Sequence, residues 1–154
     1  MYLRPPTEPD YAAIASWIPD AKAALRWAGP LLNFPFPALH LSAALAVPGY
    51  EVSSYCLVDG NLQPKGFGQH WVSQPGFVHL GRIIVSPGAR GRGIGRLLCQ
   101  ELLDTAIRSS QAKAATLRVY RDNTAAVRLY QSLGFQEVKA ESTPEVLFMT
   151  KKTY

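Results

Sequence analysis

The sequence predicts an α/β protein in which one central mixed sheet, mostly antiparallel, carries helices on both faces. Three features of the 154-residue chain support this fold class. The first third holds short helical stretches, the middle holds consecutive strand-like runs separated by turn signals, and the last half alternates strand-like and helix-like segments. Hairpin-linked strands pair antiparallel, whereas a strand–helix–strand unit gives a parallel pair, so the sheet should be mixed.

The N-terminal third is predicted to contain one edge strand and several helices. The strand spans residues 2–4, and the helices span about 7–17, 21–27 and 38–46. Thr7 or Asp10 is a suitable cap for the first helix. The segment 29–37 contains three prolines, which no regular element tolerates. It is too apolar for a flexible linker, so we expect it to pack against the domain.

The rest of the chain is predicted to alternate strands and helices. Strands are expected over residues 50–58, 66–72, 77–85, 115–120, 135–138 and 146–150, and helices over 93–108 and 123–133. Asp59-Gly60 is a strong hairpin signal between the first two of these strands. In the longer helix, apolar side chains recur at helical spacing, at Ile94, Leu98, Leu102 and Ala106. A single domain over residues 1–154 accommodates this order.

Composition excludes several classes of protein. There are 16 Lys and Arg against 11 Asp and Glu, and the resulting net charge of +5 favours an anionic ligand without indicating nucleic acid. Cys56 and Cys99 have no CxxC partner, and the three histidines lack metal-ligand spacing, so we expect buried free thiols and no metal. No signal-peptide core or membrane-length apolar run is present, which predicts a cytoplasmic protein.

A Gly-rich loop between the third strand of the middle region and the long helix is the most informative segment. The unpaired N–H groups and dipole of a helix N-terminus attract anions, and glycines allow close approach of the backbone. Three arginines make a multivalent anion such as pyrophosphate the expected ligand. The predicted binding residues are Arg90, Gly91, Arg92, Gly93, Ile94, Gly95 and Arg96. The loop lacks the Gly-Lys-Ser/Thr of a Walker motif and the downstream acid of a dinucleotide fingerprint.

Two motifs in this half of the chain resemble the signatures of the GNAT superfamily of N-acetyltransferases. Arg90-x-x-Gly93-x-Gly95, preceded by Ile-Val-Ser-Pro, is similar to the family's acetyl-CoA signature. Residues 123–135 read Asn-Thr-Ala-Ala-Val-Arg-Leu-Tyr-Gln-Ser-Leu-Gly-Phe, which resembles the family's Asn-x-x-Ala-x-x-Leu-Tyr-x-x-x-Gly-Phe. The two motifs occur in the family's order, and the resemblance covers at least residues 77–138.

The resemblance implies acetyl-CoA as co-substrate and a pair of parallel strands, 77–85 and 115–120, that splay apart. Unpaired backbone groups at Ile83 and Val85 would then bind the pantetheine amides, and the loop would bind the pyrophosphate. The Asn123 side chain is expected to bond the pantetheine arm, with helix capping as its alternative role. Tyr130 is expected to protonate the leaving thiolate, with core packing as its alternative.

Several residues are candidates for the general base that takes the proton from the amine. His79 stands where many members of the family have an acidic residue, and its strand parity predicts that it faces the same side as Gly81, Ile83 and Val85. An ordinary His pKa suits base chemistry near neutrality. The alternative for His79 is a structural role, with its ring hydrogen-bonded at the strand surface. Other possible bases are the weaker candidates His70 and Glu51, or a chain of water molecules with no single base.

The acceptor side is expected near Trp27, Phe34 and Phe36, whose rings could hold a cationic amine or pack in the core. The predicted function is transfer of an acetyl group to a primary amine of a small molecule or peptide, by a monomer or homodimer. A non-catalytic acyl-CoA-binding or sensing module is the alternative. The presence of Tyr130 favours the enzyme, because a binding module needs no hydroxyl near the sulfur.

Overall fold

A seven-stranded mixed sheet forms the centre of the computed structural model, which describes residues 1–154. The strands are β1 (Tyr2–Arg4), β2 (Ser53–Val58), β3 (Pro64–Gln74), β4 (Phe77–Val85), β5 (Ala114–Tyr120), β6 (Gln136–Glu137) and β7 (Val146–Lys152). Their spatial order is β1-β2-β3-β4-β5-β7-β6, and β4 with β5 is the only parallel pair. The predicted mixed sheet is therefore confirmed.

Five α-helices cover the two faces of this sheet. They are α1 (Glu8–Ser16), α2 (Ala21–Ala28), α3 (Leu41–Ala44), α4 (Ile94–Ser110) and α5 (Thr124–Ser132). The predicted helix over 38–46 is shorter than expected, because Ala38–His40 form a 3₁₀ turn before α3. The strand predicted over 50–58 begins only at Ser53, because a turn ending at Tyr50 contains Gly49 at φ +85°.

Two hydrophobic cores lie on opposite faces of the sheet. The core beneath α4 and α5 includes Leu80, Leu102, Leu117, Tyr130 and Phe135. The core beneath α1, α2 and α3 includes Ile14, Ala24, Leu41, Val58 and Phe67. Both cysteines are buried free thiols, as predicted. The sheet is thus covered by helices on both faces, and a site within the sheet can be reached only where strands separate.

Strands β4 and β5 separate at their carboxyl ends. Their parallel pairing runs from Phe77↔Ala114 to Leu80↔Leu117 and stops there. Beyond that point β4 continues along β3 to Val85, while β5 continues along β7 to Tyr120. A gap therefore opens between the two strands, and the edge of β4 that includes Ile83 and Val85 has no partner strand on that side. This arrangement confirms the predicted splay.

A β-bulge in β4 overturns one prediction about side-chain direction. Two residues of β4, Arg82 and Ile83, lie opposite Gly68 of β3, and Arg82 has a φ of +50°. The extra residue reverses the alternation of side chains along the strand. His79 and Gly81 face the α2 side, where both touch Trp71. Ile83 and Val85 instead face the α4 side, so the prediction that all four share one face is wrong.

Candidate active site

The gap between β4 and β5 forms a cavity of about 70 Å³. Its walls come from both faces of the sheet, with Arg26 and Trp27 of α2 on one side and α5 on the other. The remaining lining residues are Leu80, Gly81, Arg82, Ile83, Leu117, Arg118, Val119, Asn123, Ala126 and Tyr130. Two substrates that approach from opposite faces of the sheet could therefore meet in this space.

The predicted anion-binding loop follows directly from the carboxyl end of β4. Gly93 caps α4 in the left-handed region at φ +77°, Gly91 has φ +78°, and no side chain caps this helix. The first N–H groups of α4 are consequently free to bind a ligand. A Cβ atom added at Gly91 or Gly93 would meet nothing within 4 Å. Glycine is thus required there for its backbone conformation, not for space inside the protein.

Two of the three arginines of the loop form hydrogen bonds within the protein, and the third is exposed. The Arg90 Nε donates to the Val85 carbonyl at 3.1 Å, which ties the loop to the end of β4. The Arg96 Nη2 donates to the Ser132 hydroxyl at 2.5 Å, which joins the N-terminus of α4 to α5. Arg92 is exposed. All three guanidinium groups add positive charge around the free N–H groups of α4.

Asn123 and Tyr130 bring the first and second turns of α5 to the cavity wall. The Asn123 Oδ1 accepts a long hydrogen bond of 3.4 Å from the Ala126 N–H, so the capping role is observed and the ligand role stays a prediction. The Tyr130 ring packs edge-on against Phe135 with centroids 6.2 Å apart. Burial raises the pKa of Tyr130 above its ordinary value of 10.0, so its hydroxyl keeps its proton at neutral pH.

His79 lies deeper in the sheet than its predicted role requires. Its Nδ1 is 2.8 Å from the Thr116 hydroxyl, and its ring is flanked by Trp71 and Phe148. Burial, aided by the charges of Arg118 and Arg82, lowers the pKa of His79 to about 3. His79 is therefore neutral at physiological pH, and it is absent from the cavity wall.

The alternative base candidates also lie outside the cavity. His70 is buried on the α4 side against Tyr55, with ring centroids 5.7 Å apart, and burial lowers its pKa. Its Nε2 has no hydrogen-bond partner. Glu51 is exposed just before β2. Neither residue lines the gap between β4 and β5.

Of the three predicted acceptor-binding aromatics, Trp27 alone lines the cavity. Its Nε1 donates to the Arg82 carbonyl at 2.8 Å, which holds the bulge of β4 against α2. Phe34 and Phe36 pack against each other at 5.9 Å and against the core beneath α1 to α3. They are not part of the cavity wall, and their acceptor role stays a prediction.

Sequence reasoning missed three arginines that line the cavity: Arg26, Arg82 and Arg118. Two of them carried a signal, because Arg82 and Arg118 are charged residues within otherwise strand-like apolar runs. A buried-type strand with one charge suggests a functional position. Arg26 carried no such signal, because a helix on the surface of a protein ordinarily contains basic residues.

The sequence profile described as the Acetyltransferase (GNAT) family matches residues 25–135. This chain belongs to that family. The match confirms the family predicted from the two motifs, and it includes the loop, both splayed strands and α5.

Three related proteins illustrate the similarity. N-alpha-acetyltransferase RimI of Mycobacterium tuberculosis is 50% identical over 54 residues, which is 35% of this chain and 32% of RimI. Mycothiol acetyltransferase of Renibacterium salmoninarum is 36% identical over 101 residues, or 60% of this chain and 29% of that protein. The chain thus spans about a third of the length of these relatives. The structure of spermidine N-acetyltransferase from Vibrio cholerae, in complex with CoA and spermine, has a TM-score of 0.78 at 18% identity, covering 97% of this chain and 94% of that one.

The structure contains neither a membrane-spanning helix nor a group of metal-binding side chains. None of the helices combines the length and hydropathy that a membrane-spanning segment requires. No three His, Cys, Asp or Glu side chains are grouped so that they could hold a metal ion.

Proposed function

We propose that this chain transfers an acetyl group from acetyl-CoA to a primary amine of a small molecule or peptide. The observation that carries the proposal is the gap between β4 and β5, which Tyr130 lines. Strand β4 runs from this gap into the Gly-rich loop at the N-terminus of α4. The family membership supports the same activity. The oligomeric state and a cytoplasmic location stay predictions from the sequence.

The residues around the gap fit acetyl-CoA. The free N–H groups from Gly91 to Arg96 suit a pyrophosphate, and the arginines of the loop add charge. The unpartnered edge of β4 at Ile83 and Val85 offers backbone groups to the amides of an extended arm, although Arg90 already occupies the Val85 carbonyl. The Asn123 amide lies further along the same wall. Acetyl-CoA supplies the activated thioester, and these residues orient it.

The chemistry assigned to this chain is proton transfer and positioning. The amine attacks the thioester directly, the carbon–sulfur bond breaks, and Tyr130 donates its proton to the departing thiolate. Burial raises the pKa of Tyr130, so its hydroxyl is protonated before this transfer. His79 stays the predicted base, but its burial and a pKa of about 3 do not support that role. Water in the open mouth of the gap then accepts the amine proton and returns a proton to the Tyr130 oxygen, which completes the cycle.

Acetyl-CoA titration and an amine panel test this proposal. Calorimetry should detect binding of acetyl-CoA and CoA, and a thiol reagent should detect CoA release in the presence of a suitable amine. The protein's own thiols do not disturb this assay, because burial raises the pKa of Cys56 and Cys99 to about 12. Binding of CoA without turnover of any amine would support the non-catalytic module instead. Absence of CoA binding would contradict both functions.

A further inference from the structure

We infer that the acceptor amine carries a negatively charged group, a carboxylate or phosphate, and that Arg82 and Arg118 bind that group at the α2 side of the cavity. This inference rests on the proposed function and names the acceptor class for the same site. It depends on the charges lining the cavity, on the side of the sheet from which they point and on the absence of a counter-ion for Arg82.

Arg82 is a half-buried cation without a carboxylate partner. Its Nη1 donates to two neutral oxygens, the Leu45 carbonyl at 3.2 Å and the Gln69 Oε1 at 3.0 Å. Its guanidinium lies 5.5 Å from the centre of the Trp71 ring. None of the four ion pairs in the chain includes it. A partly desolvated charge is unfavourable without an opposite charge, so an anionic ligand would complete this environment.

The other two arginines reinforce this charge. Arg118 is exposed and lies over the Phe148 ring at 4.9 Å, which orients its guanidinium without neutralising it. Arg26 is paired with Asp122, so it contributes less. No Asp or Glu lines the cavity. The wall that the acceptor would meet is consequently cationic.

The arginines and the proposed acid lie on different sides of the sheet. Leu117 and Val119 point into the α4–α5 core, so Arg118 between them points to the α2 side. Arg82 bonds Gln69 and Leu45 on that same side. Tyr130 and Asn123 approach from α5. An amine with an attached anionic group could therefore place the anion at the arginines and the nitrogen in the gap.

The anionic groups of acetyl-CoA do not account for these arginines. The Gly-rich loop, with Arg90, Arg92 and Arg96, is the site assigned to the pyrophosphate. The structural neighbour from Vibrio cholerae holds spermine, which is a polycation. Like charges repel, so a cationic wall selects against such a ligand. We therefore expect a different acceptor class here.

Matched acceptor pairs test the charge requirement. L-Alanine and L-leucine are compared with their amides, and O-phosphoethanolamine is compared with ethanolamine. Spermidine and kanamycin are added as polycationic acceptors. We expect kcat/KM to be at least about tenfold higher for the anionic member, as charge-assisted hydrogen bonds typically provide. The less basic amine of an amide favours the neutral compound chemically, so a preference for the acid must come from the protein.

Three variants locate the effect. Arg118→Gln should reduce the anionic-to-neutral ratio of kcat/KM about three- to tenfold without changing acetyl-CoA affinity, and Arg118→Lys should restore most of it. Arg108→Gln removes the same charge from an exposed position on α4 and should leave the ratio unchanged. Arg118 is preferred to Arg82 as the primary test because its exposed side chain makes few contacts that folding requires.

The outcomes separate this inference from the proposed function. Binding of the anionic amines to CoA-loaded protein, measured by calorimetry, gives a readout that needs no turnover. A preference for neutral amides, polyamines or a peptide amine without acidic side chains would overturn the inference while leaving the acetyltransferase intact. Failure of every anionic probe to bind the CoA-loaded protein would overturn it as well, as would an equal effect of Arg118→Gln on both members of a pair. If the wild-type protein does not bind acetyl-CoA at all, the proposed function itself is overturned.

Discussion

Burial keeps both Tyr130 and His79 in their neutral forms, with different consequences for the catalytic roles predicted for them. Burial disfavours the charged form of each, so the pKa of Tyr130 rises and that of His79 falls to about 3. A phenol that keeps its proton can donate it to a thiolate. A His that stays neutral until pH 3 has little capacity to retain a proton taken from an ammonium group. Burial therefore keeps Tyr130 protonated and available as a donor while making it a weaker acid, and it disfavours His79 as base.

Removing the Tyr130 hydroxyl should reduce turnover without loss of acetyl-CoA binding. The variant Tyr130→Phe keeps the ring and its edge-on contact with Phe135, so the core should stay packed. We expect kcat to fall by about 10²–10⁴, the usual contribution of a general acid. The measurement is steady-state turnover alongside calorimetry. A nearly unchanged kcat, with chemistry shown to limit the rate, would assign proton donation to water.

His79 should make the stability of the protein depend on pH. Unfolded His79 takes up a proton below its ordinary pKa of 6.5, whereas the folded pKa of about 3 prevents uptake. The unfolded state binds more protons in that window, so the free energy of unfolding should fall as pH drops from 6.5 towards 3. Between pH 7 and 4.5 the free energy of unfolding should fall by about 2–3 kcal/mol through His79 alone.

Urea unfolding of wild-type and His79→Gln protein at both pH values measures this contribution. The variant should lose less stability on acidification than the wild type, and the shared contribution of His70 cancels in the difference. Identical losses in the two proteins would mean that His79 is solvated enough to titrate normally. In that case His79 would again be a candidate base. A rise in kcat/KM with pH at the pKa of His79, absent from His79→Gln, would then assign it that role.

At the scale of elements, the three glycines at the junction of the loop and the first turn of α4 occupy two different environments. Gly91 and Gly93 adopt positive φ, and both face open space. Gly95 is different, because a Cβ there would lie 3.4 Å from Leu129 of α5. Two glycines therefore shape the ligand-binding loop, whereas the third lies where the first turn of α4 packs against α5.

Replacing Gly93 by valine should weaken acetyl-CoA binding through backbone strain. A β-branched residue at φ +77° is unfavourable, so the loop should shift and its N–H groups lose their alignment. A cost of about 1–2 kcal/mol corresponds to a roughly tenfold higher Kd. Gly88→Val is the matched control, since Gly88 also faces open space but has no positive φ. Equal Kd values for both folded variants would contradict the assignment of the loop.

At the scale of the whole molecule, the two cores hold the walls of the cavity from opposite sides of the sheet. The core beneath α1 to α3 supports Trp27, which bonds the β4 bulge, and the core beneath α4 and α5 contains Tyr130. The residues of the cavity wall come from separate segments of the chain, namely α2, β4, β5 and α5. The acceptor side therefore depends on how α2 docks against the sheet, and the acid depends on how α5 docks.

Two aromatic variants should separate contact with the acceptor from support of the fold. Trp27→Phe removes the hydrogen bond to the Arg82 carbonyl and should raise the acceptor KM about fivefold, with acetyl-CoA affinity unchanged. Phe36→Ala should lower the free energy of unfolding by about 2 kcal/mol, because Phe36 is half-buried against the core. A raised acceptor KM in a stable Phe36→Ala variant would instead support the predicted contact between Phe36 and the acceptor.

The sequence by itself determined the features that depend on neighbours along the chain. The apolar spacing from Ile94 to Ala106 defines α4, and all five predicted strands after residue 60 occur within two residues of the predicted bounds. The Gly-rich loop was also recognisable, because positive φ and a free helix N-terminus are local properties. The fold class and the anion-binding loop therefore followed from short-range patterns of residue type.

The tertiary structure alone decided which side chains meet. The bulge at Arg82 depends on Trp27, Leu45 and Gln69, which come from three other parts of the chain. Without it, simple alternation placed His79 on the same side as Ile83. The arginines at positions 26, 82 and 118 come together only when α2, β4 and β5 are assembled. Strand alternation and helical spacing are local rules, whereas the charge of a cavity arises from residues that folding brings together.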